Sequence, residues 1–166
     1  NGVNIKISEF IPNPTGSDTT EFVEIFNPTE VEINLSQLKL DDEAGGSRAY
    51  TIPDDTKILP GEYKVFGKQD TGIALNNTGD SVRILFPDGT VLTEVLYEQT
   101  YEGQSYMFDE LNEDWMWTGT VTPGEKNVLS APKAVAGSKI SAKNKPVITT
   151  TLEKIKDQDI GDKVRV

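Results

Sequence analysis

The sequence predicts an all-β domain, an antiparallel β-sandwich or barrel, followed by a flexible C-terminal tail. Many short segments rich in β-branched and aromatic residues alternate with turn-forming clusters of Gly, Pro, Asn and Asp. No apolar repeat of 3.6 residues persists for a dozen positions before residue 130, so we expect no long helix there. After residue 130 the residues become small, polar and basic, which is typical of a flexible linker.

The composition excludes several classes of function. The 166 residues include no Cys and no His, which removes disulfides, thiol nucleophiles, the usual zinc sites and histidine-based catalysis. The net charge of −11 argues against a nucleic-acid-binding surface, because phosphate contacts need clustered Lys and Arg. No apolar run approaches the roughly 20 residues of a membrane span. A chain without Cys is compatible with a secreted or surface module that needs no disulfides.

The first two predicted strands cover residues 3–11 and 21–27. The first alternates apolar and polar side chains, as a strand with one solvated face does. The second follows a polar loop and ends at Asn27 before a proline, and its β-branched and aromatic residues favour a buried position in a sheet.

Two glutamates interrupt the second strand. Because side chains alternate along a strand, we expect Val23 and Ile25 to point into the core and Glu24 to point outwards. Phe22 and Phe26 share the outer face with Glu24, and we expect a loop to cover both partly, since two bare aromatic side chains would be costly.

Shorter strands follow in the middle of the chain. Residues 31–35 and 38–40 predict two strands around a bend, and residues 49–52 predict another. Pro60 and Gly61 are placed as a tight turn requires, and residues 63–67 form the next predicted strand.

Residues 82–86 and 91–97 form the clearest predicted hairpin, joined by a Pro-Asp-Gly turn. We expect Val82, Ile84 and Phe86 to share a face with Val91, Val95 and Tyr97. Residues 105–108 and 115–117 predict two late strands. The predicted core consists of alternate residues from two packed sheets, namely Ile5, Ile7, Val23, Ile25, Leu35, Leu40, Val65, Val82, Ile84 and Val95.

A change of charge supports a domain boundary near residue 130. Residues 131–166 carry 8 Lys and Arg against 4 Asp and Glu, whereas residues 1–130 carry 8 against 23. We therefore predict a sandwich over residues 1–130, a linker over 131–147 and, over 148–166, the start of a second domain that the chain cuts short.

Acidic residues supply the first candidate sites. Glu21 and Glu24 lie three positions apart and so face opposite sides of their strand, which prevents a joint carboxylate site. Each could contact a ligand, or could instead accept backbone hydrogen bonds or pair with a base such as Arg83. The run Asp41, Asp42 and Glu43 could hold calcium, the one cofactor left open, but it fits no EF-hand pattern. Such a charge run is more typical of a solvated acidic loop.

Aromatic residues supply the second set. Trp115 and Trp117 share a face of an extended segment, and Tyr101 lies near them in sequence. Such side chains can anchor a partner or stack on a sugar, or can simply cover the open end of the sandwich. The residues Asn76 to Asp80 are a weaker calcium candidate and are typical of a turn. No spacing of carboxylates argues for a hydrolase, and we predict that the chain is not an enzyme.

An ordered set of motifs resembles the lamin tail domain, most closely its bacterial branch. The set includes Glu-Phe-Val-Glu-Ile-Phe-Asn-Pro, Leu-Pro-Gly and Asn-Asn-Thr-Gly-Asp, and ends with Thr-Pro-Gly and a nearby Asn; these lie at residues 21–28, 59–61, 76–80, 122–124 and 127. The resemblance implies an immunoglobulin-like β-sandwich. The final residues, 152–166, are similar to the entry of an OB-fold domain.

The resemblance also implies a function. Bacterial members occur in large exported or surface-associated proteins, which implies an extracellular or cell-surface location. The same setting implies a non-catalytic module that contacts a protein or a cell-surface component. The alternative is a calcium- or carbohydrate-binding domain that targets a linked hydrolase. Animal lamins bind chromatin through this domain, but the acidic residues 1–130 make nucleic-acid binding unexpected here.

Overall fold

The structure is a computed structural model that describes residues 3–130. The predicted linker and the predicted start of a second domain lie outside the described residues and remain predictions. In chain order the strands are β1 (Lys6–Ile11), β2 (Phe22–Phe26), β3 (Ile33–Asn34), β4 (Lys39–Asp41), β5 (Tyr50–Thr51), β6 (Lys57–Ile58), β7 (Tyr63–Gly67), β8 (Asp80–Leu85), β9 (Val91–Tyr97), β10 (Ser105–Asp109) and β11 (Asp114–Thr118).

The strands form two main antiparallel sheets. One sheet has the order β11-β10-β1-β2-β7, the other has the order β5-β4-β8-β9, and β3 pairs with β6 in a short ribbon. A 3₁₀ turn, Asp18–Thr20, precedes β2, and one helical turn, α1 (Lys68–Thr71), follows β7. The fold class is therefore the predicted one, an immunoglobulin-like antiparallel β-sandwich.

The core lies between the two main sheets. Most of the predicted core residues are buried in it, with Ile25, Leu40 and Ile84 fully inaccessible to solvent. The prediction for Val65 is wrong, because this side chain is 39% exposed. Val65 stands opposite Glu24 in the sheet and therefore lies on its outer face, and its neighbour Phe66 packs against the core instead.

The predicted facing of β2 is confirmed. Val23 and Ile25 belong to the core, and Glu24 lies on the other face. Phe22 is almost fully buried, and Phe26 is half-buried and stacks on Tyr63 with ring centroids 4.4 Å apart. Both aromatic side chains are therefore at least partly covered, as expected, and the stacking contact on Phe26 comes from Tyr63 of β7.

Two β-bulges shift the alternation of side chains. In β1 the register with β2 shifts between Ile7 and Glu9, so Ser8 and Glu9 both have partners on the outer side. In the β8–β9 hairpin the shift falls between Ile84 and Leu85. The expected inward position of Val91 is consequently wrong, because Val91 is 50% exposed.

Two elements, β6 and α1, are not predicted by the sequence patterns. The ribbon strand β6 has only two residues, which is too short for alternation to show. Helix α1 has four residues and ends at Gly72, which has a positive φ of 73°. The remaining predicted strands are present, and their ends differ from the predicted ones by at most three residues.

Candidate functional site

Two buried glutamates lie side by side on the outer face of the larger sheet. Glu9 on β1 and Glu24 on β2 are direct partners in the strand register, and both are fully inaccessible to solvent. Ser8 Oγ donates to Glu24 Oε1 at 2.6 Å, and Ser105 Oγ donates to Glu9 Oε1. Hydroxyl donors from neighbouring strands therefore compensate part of the burial of both carboxylates.

Residues 122–127, which we call the closing segment, cover these glutamates. Thr122 donates its N–H and its hydroxyl to Glu9, at 3.1 and 3.0 Å from Oε2, and Gly124 N donates to Glu24 Oε2 at 2.7 Å. Asn127 Nδ2 donates to the carbonyl oxygens of Ser8 and Phe108. The two carboxylates thus fasten the end of the domain across its own sheet.

Burial controls the protonation of the pair. Loss of solvent raises the pKa of Glu24 to about 7, despite the hydrogen bonds from Ser8 and Gly124, and the negative charge of Glu9 adds to the rise. Desolvation also raises the pKa of Glu9, against the hydrogen bonds from Ser105 and Thr122. All of these hydrogen-bond donors belong to strands of the sheet or to the closing segment. Both glutamate side chains are inaccessible to solvent.

Glu21 also accepts hydrogen bonds that stabilise the fold. Its carboxylate accepts from Lys68 Nζ at 2.7 Å and from the backbone N–H of Leu75 at 2.9 Å. Desolvation raises the pKa of Glu21, and the bond from Lys68 opposes that rise. Glu21 therefore ties β2 to α1 and to the segment before β8, which is the kind of pairing that the sequence left open.

The acidic run at the end of β4 is not the solvated loop that its charge suggests, because Asp41 and Asp42 are buried and bonded to protein groups. Asp41 accepts from Arg83 Nη2 at 2.5 Å, and Asp42 accepts from Ser47 N at 2.7 Å. Desolvation raises the pKa of Asp41, and the charge of Arg83 opposes that rise. Glu43 is exposed.

The turn before β8 has a similar arrangement. Asp80, the last of the second calcium candidates, accepts from the backbone N–H groups of Glu43, Asn76 and Ser81. Within residues 3–130, no three acidic side chains gather as a metal cage.

The predicted aromatic residues meet at one open side of the sandwich. Trp117 on β11 stacks on Tyr106 of β10 at 4.7 Å and meets Tyr97 of β9 edge-on at 6.3 Å. Trp115 is half-buried like Trp117, and its ring lies 5.7 Å from the buried ring of Phe10. The cluster seals the core on this side, and Trp115 contributes to packing more than to the surface.

A groove of about 500 Å³ runs along this cluster. Its lining consists of Leu96, Tyr97, Glu98, Gln99, Tyr106 and Trp117. Leu96 is 68% exposed at its edge, and Tyr101, 42% exposed, meets Trp117 with ring centroids 5.5 Å apart. Tyr101 and Trp117 of the predicted partner-binding set therefore lie at an accessible surface, which we call the aromatic groove.

A second, smaller cleft lies on the outer face of the larger sheet. It measures about 100 Å³ and lies between the stacked pair Phe26 and Tyr63 and the turn that carries Leu111. Lys6 Nζ lies 5.5 Å from the centre of the Phe108 ring at its wall. This volume would admit a single side chain, far less than an ordinary ligand pocket of roughly 300 Å³ or more.

Sequence comparison agrees with the geometry. The family model for the Lamin Tail Domain matches residues 1–99, more than half of the chain. The chain belongs to the lamin tail domain family. No curated protein and no solved structure matches the chain significantly. Lamin tail domains are structural, immunoglobulin-like modules that are not known as catalysts.

This lamin tail domain continues beyond the family match. Strand β10 follows residue 99 and pairs with β1 inside the larger sheet, and the closing segment contacts both β1 and β2. None of the helices among residues 3–130 is long and apolar enough to cross a membrane.

Proposed function

We propose that this lamin tail domain is a non-catalytic binding module of a larger exported or surface-associated bacterial protein, and that it contacts a protein or cell-surface component. The observation that supports a binding role is the aromatic groove. It combines two half-buried aromatic side chains, Tyr106 and Trp117, with the exposed apolar side chain of Leu96. The exposed ring of Tyr101 meets Trp117 beside it. Rigid aromatic anchors beside exposed apolar groups are typical of protein-binding surfaces.

The positions of the acidic residues support the absence of catalysis. The buried carboxylates of Glu9, Glu21 and Glu24 accept hydrogen bonds from groups that build the fold, and the bonds to Glu9 and Glu24 hold the closing segment. A hydrolase would need two acids that flank a cleft open to substrate. The family is also a protein-interaction type of domain, which favours a protein partner.

A glycan is the second candidate ligand, and a feature of the same groove favours it. Gln99 and Glu98 place polar groups beside the rings of Tyr106 and Trp117. Aromatic faces with neighbouring hydrogen-bonding groups can hold a sugar ring. On this alternative the domain would target a linked hydrolase to carbohydrate. The calcium form of this alternative has no comparable support, because Asp41 and Asp42 already bind Arg83 and Ser47.

The proposal is tested by retention of the fluorescently labelled chain on intact cells of the organism that encodes it. One portion of the cells is treated with protease and another with periodate, which oxidises sugars. We expect saturable retention on untreated cells, loss after protease and little change after periodate. Loss only after periodate would favour the glycan candidate. No saturable retention on any of the cells would contradict a surface-binding role.

A further inference from the structure

Strand β9 forms one edge of the smaller sheet. Among the described residues it pairs with β8 on one side and with no strand on the other. Its seven residues, Val91–Tyr97, make it the longest strand, and Val91 and Leu96 are 50% and 68% exposed. A long apolar edge presents unpaired N–H and C=O groups, and natural proteins usually protect such edges with Lys, Pro or a covering element.

The charge of this edge is one-sided. Glu94 is the single charged residue of β9, and it is exposed. Its cross-strand neighbour Arg83 donates to Asp41 and to the carbonyl of Asp42, and Glu94 forms no salt bridge within residues 3–130. Residues 84–125 contain nine Asp and Glu and no Lys or Arg. A ligand of this edge therefore needs positive charge.

The same charge argues against a second copy of this chain. Glu94 is the middle residue of β9, so antiparallel pairing of two β9 strands about their centres would set Glu94 against Glu94. Like charges directly opposite each other destabilise a strand pair. The charge therefore favours a different segment over a second copy of β9 in this register.

The aromatic groove indicates which side chains the other face of that segment should carry. Val95 and Tyr97 of β9 pack towards the core, and Tyr97 also lines the groove beside Tyr106 and Trp117. In a strand added to β9, the residue opposite Glu94 would place its side chain on the same face as Glu94. The residues before and after it would point to the opposite face, the face of Val95, towards the groove. The added strand needs apolar residues at those positions and a base between them.

We propose that β9 binds an extended segment of another protein by strand addition, and that this segment alternates apolar residues with Lys or Arg. The apolar side chains enter the aromatic groove, and a basic side chain pairs with Glu94. Backbone hydrogen bonds to the free edge of β9 provide affinity, and the alternation provides specificity. This inference rests on the proposed binding role and names the partner's chemistry.

The test uses the synthetic peptide acetyl-Ser-Val-Lys-Val-Lys-Val-Ser-amide and the whole chain. A matched peptide carries Glu in place of both Lys, and another carries Pro in place of the central Val, which prevents strand pairing. Binding is measured by calorimetry, and amide hydrogen exchange of β9 is measured with and without peptide. We expect the Lys peptide to bind and to slow exchange in β9, and we expect the Pro peptide not to bind.

A charge exchange isolates the pairing with Glu94. In the variant Glu94→Lys we expect affinity for the Lys peptide to fall by roughly three- to tenfold and affinity for the Glu peptide to rise, since attraction and repulsion of cross-strand charges exchange. The control is Glu30→Lys, which makes the same charge change at an exposed turn residue after β2. The control should leave both affinities near their original values.

Three results would overturn the inference. These are no binding of the Lys peptide, binding without slower exchange in β9, and equal responses to Glu94→Lys and Glu30→Lys. Self-association of the chain through β9, abolished by Leu96→Ser in sedimentation, would also overturn it by making a second copy the occupant. Retention on cells tests the binding role separately, so retention without peptide binding would reject strand addition and leave that role standing.

Discussion

At the scale of single residues, Glu24 and Glu94 carry the same group in opposite surroundings. Glu24 is fully buried and accepts from Ser8 and from the backbone of Gly124, whereas Glu94 is exposed and forms no salt bridge within residues 3–130. Burying the carboxylate of Glu24 is unfavourable, and its hydrogen-bond donors offset only part of that free energy. The exposed carboxylate of Glu94 stays solvated and has no such penalty. Glu24 therefore belongs to the architecture, and Glu94 is free to meet a ligand.

The pKa of Glu24 predicts a pH dependence of stability. Because burial raises this pKa from 4.5 to about 7, the folded state holds the proton more tightly than the unfolded chain does. The stabilising contribution is complete below about pH 4.5 and is lost as the pH rises through about 7. We expect Glu24→Gln to gain about 3 kcal/mol of unfolding free energy relative to the original chain between pH 4.5 and 8, measured by urea unfolding.

Glu62→Gln is the control of opposite sign. The backbone N–H of Leu59 donates to Glu62 and lowers its pKa, so its stabilising contribution is lost as the pH falls. Relative to the original chain, Glu62→Gln should lose stability as the pH rises from about 3 to 6. If the difference between Glu24→Gln and the original chain does not change with pH, the proposed burial of a titrating Glu24 is wrong.

The sequence could predict part of this residue-level picture. Alternation placed Glu24 on the outer face and separated it from Glu21, and both predictions are confirmed. The sequence does not predict the outer position of Glu9, because simple alternation places it with Ile5 and Ile7 on the core side. The bulge after Ile7 rotates Glu9 outwards, and no local pattern signals a bulge whose purpose is a contact 113 residues away.

At the scale of elements, glycines predict turns best where the backbone must adopt a positive φ. Gly79, in the turn before β8, has a φ of 135°, and a Cβ there would lie 3.2 Å from the carbonyl oxygen of Tyr97. Gly89, in the β8–β9 turn, has a φ of 90° and no atom within 4 Å of such a Cβ. Both positions favour Gly, but only Gly79 also needs the space.

Substitution of the two glycines should therefore differ. We expect Gly79→Ala to reduce the unfolding free energy by about 1 kcal/mol more than Gly89→Ala does, because backbone atoms block the added methyl group. Thermal and urea unfolding of the two variants provide the comparison. Equal losses would mean that the turn before β8 can move away from β9.

Elements were also predictable in proportion to their length. The β8–β9 hairpin has long alternating strands around a Gly-containing turn, and it was predicted with only small errors at its ends. The two-residue strand β6 and the four-residue helix α1 are fixed by tertiary contacts, such as the bond from Lys68 to Glu21. Local sequence contains no comparable signal for them.

At the scale of the whole molecule, the fold class could be predicted, but the order of strands could not. Strand β10 comes late in the chain and yet lies between β1 and β11 in the larger sheet. The closing segment then binds β1 and β2 through Thr122 and Gly124. These contacts join the two ends of the domain, so short-range patterns do not report them.

Removal of the closing segment tests its contribution. A chain ending at residue 118 keeps every described strand but leaves Glu9 and Glu24 without Thr122 and Gly124. Relative to a chain ending at residue 130, we expect a loss of about 3 kcal/mol or more of unfolding free energy at pH 8, since hydrogen bonds to charged groups are strong. Addition of Glu24→Gln should recover part of the loss. Equal stability of the two chains would contradict a fastening role.

The proposed binding surface of the domain is formed by the aromatic groove and β9. Retention on intact cells of two matched variants, Leu96→Ser and Leu111→Ser, tests this surface. Both leucines are exposed, at 68% and 90%, but Leu111 lies on the β10–β11 turn away from the groove lining. We predict that Leu96→Ser weakens retention several-fold and that Leu111→Ser leaves it unchanged. Unchanged retention of Leu96→Ser, or an equal loss in both variants, would show that the domain does not bind through this surface.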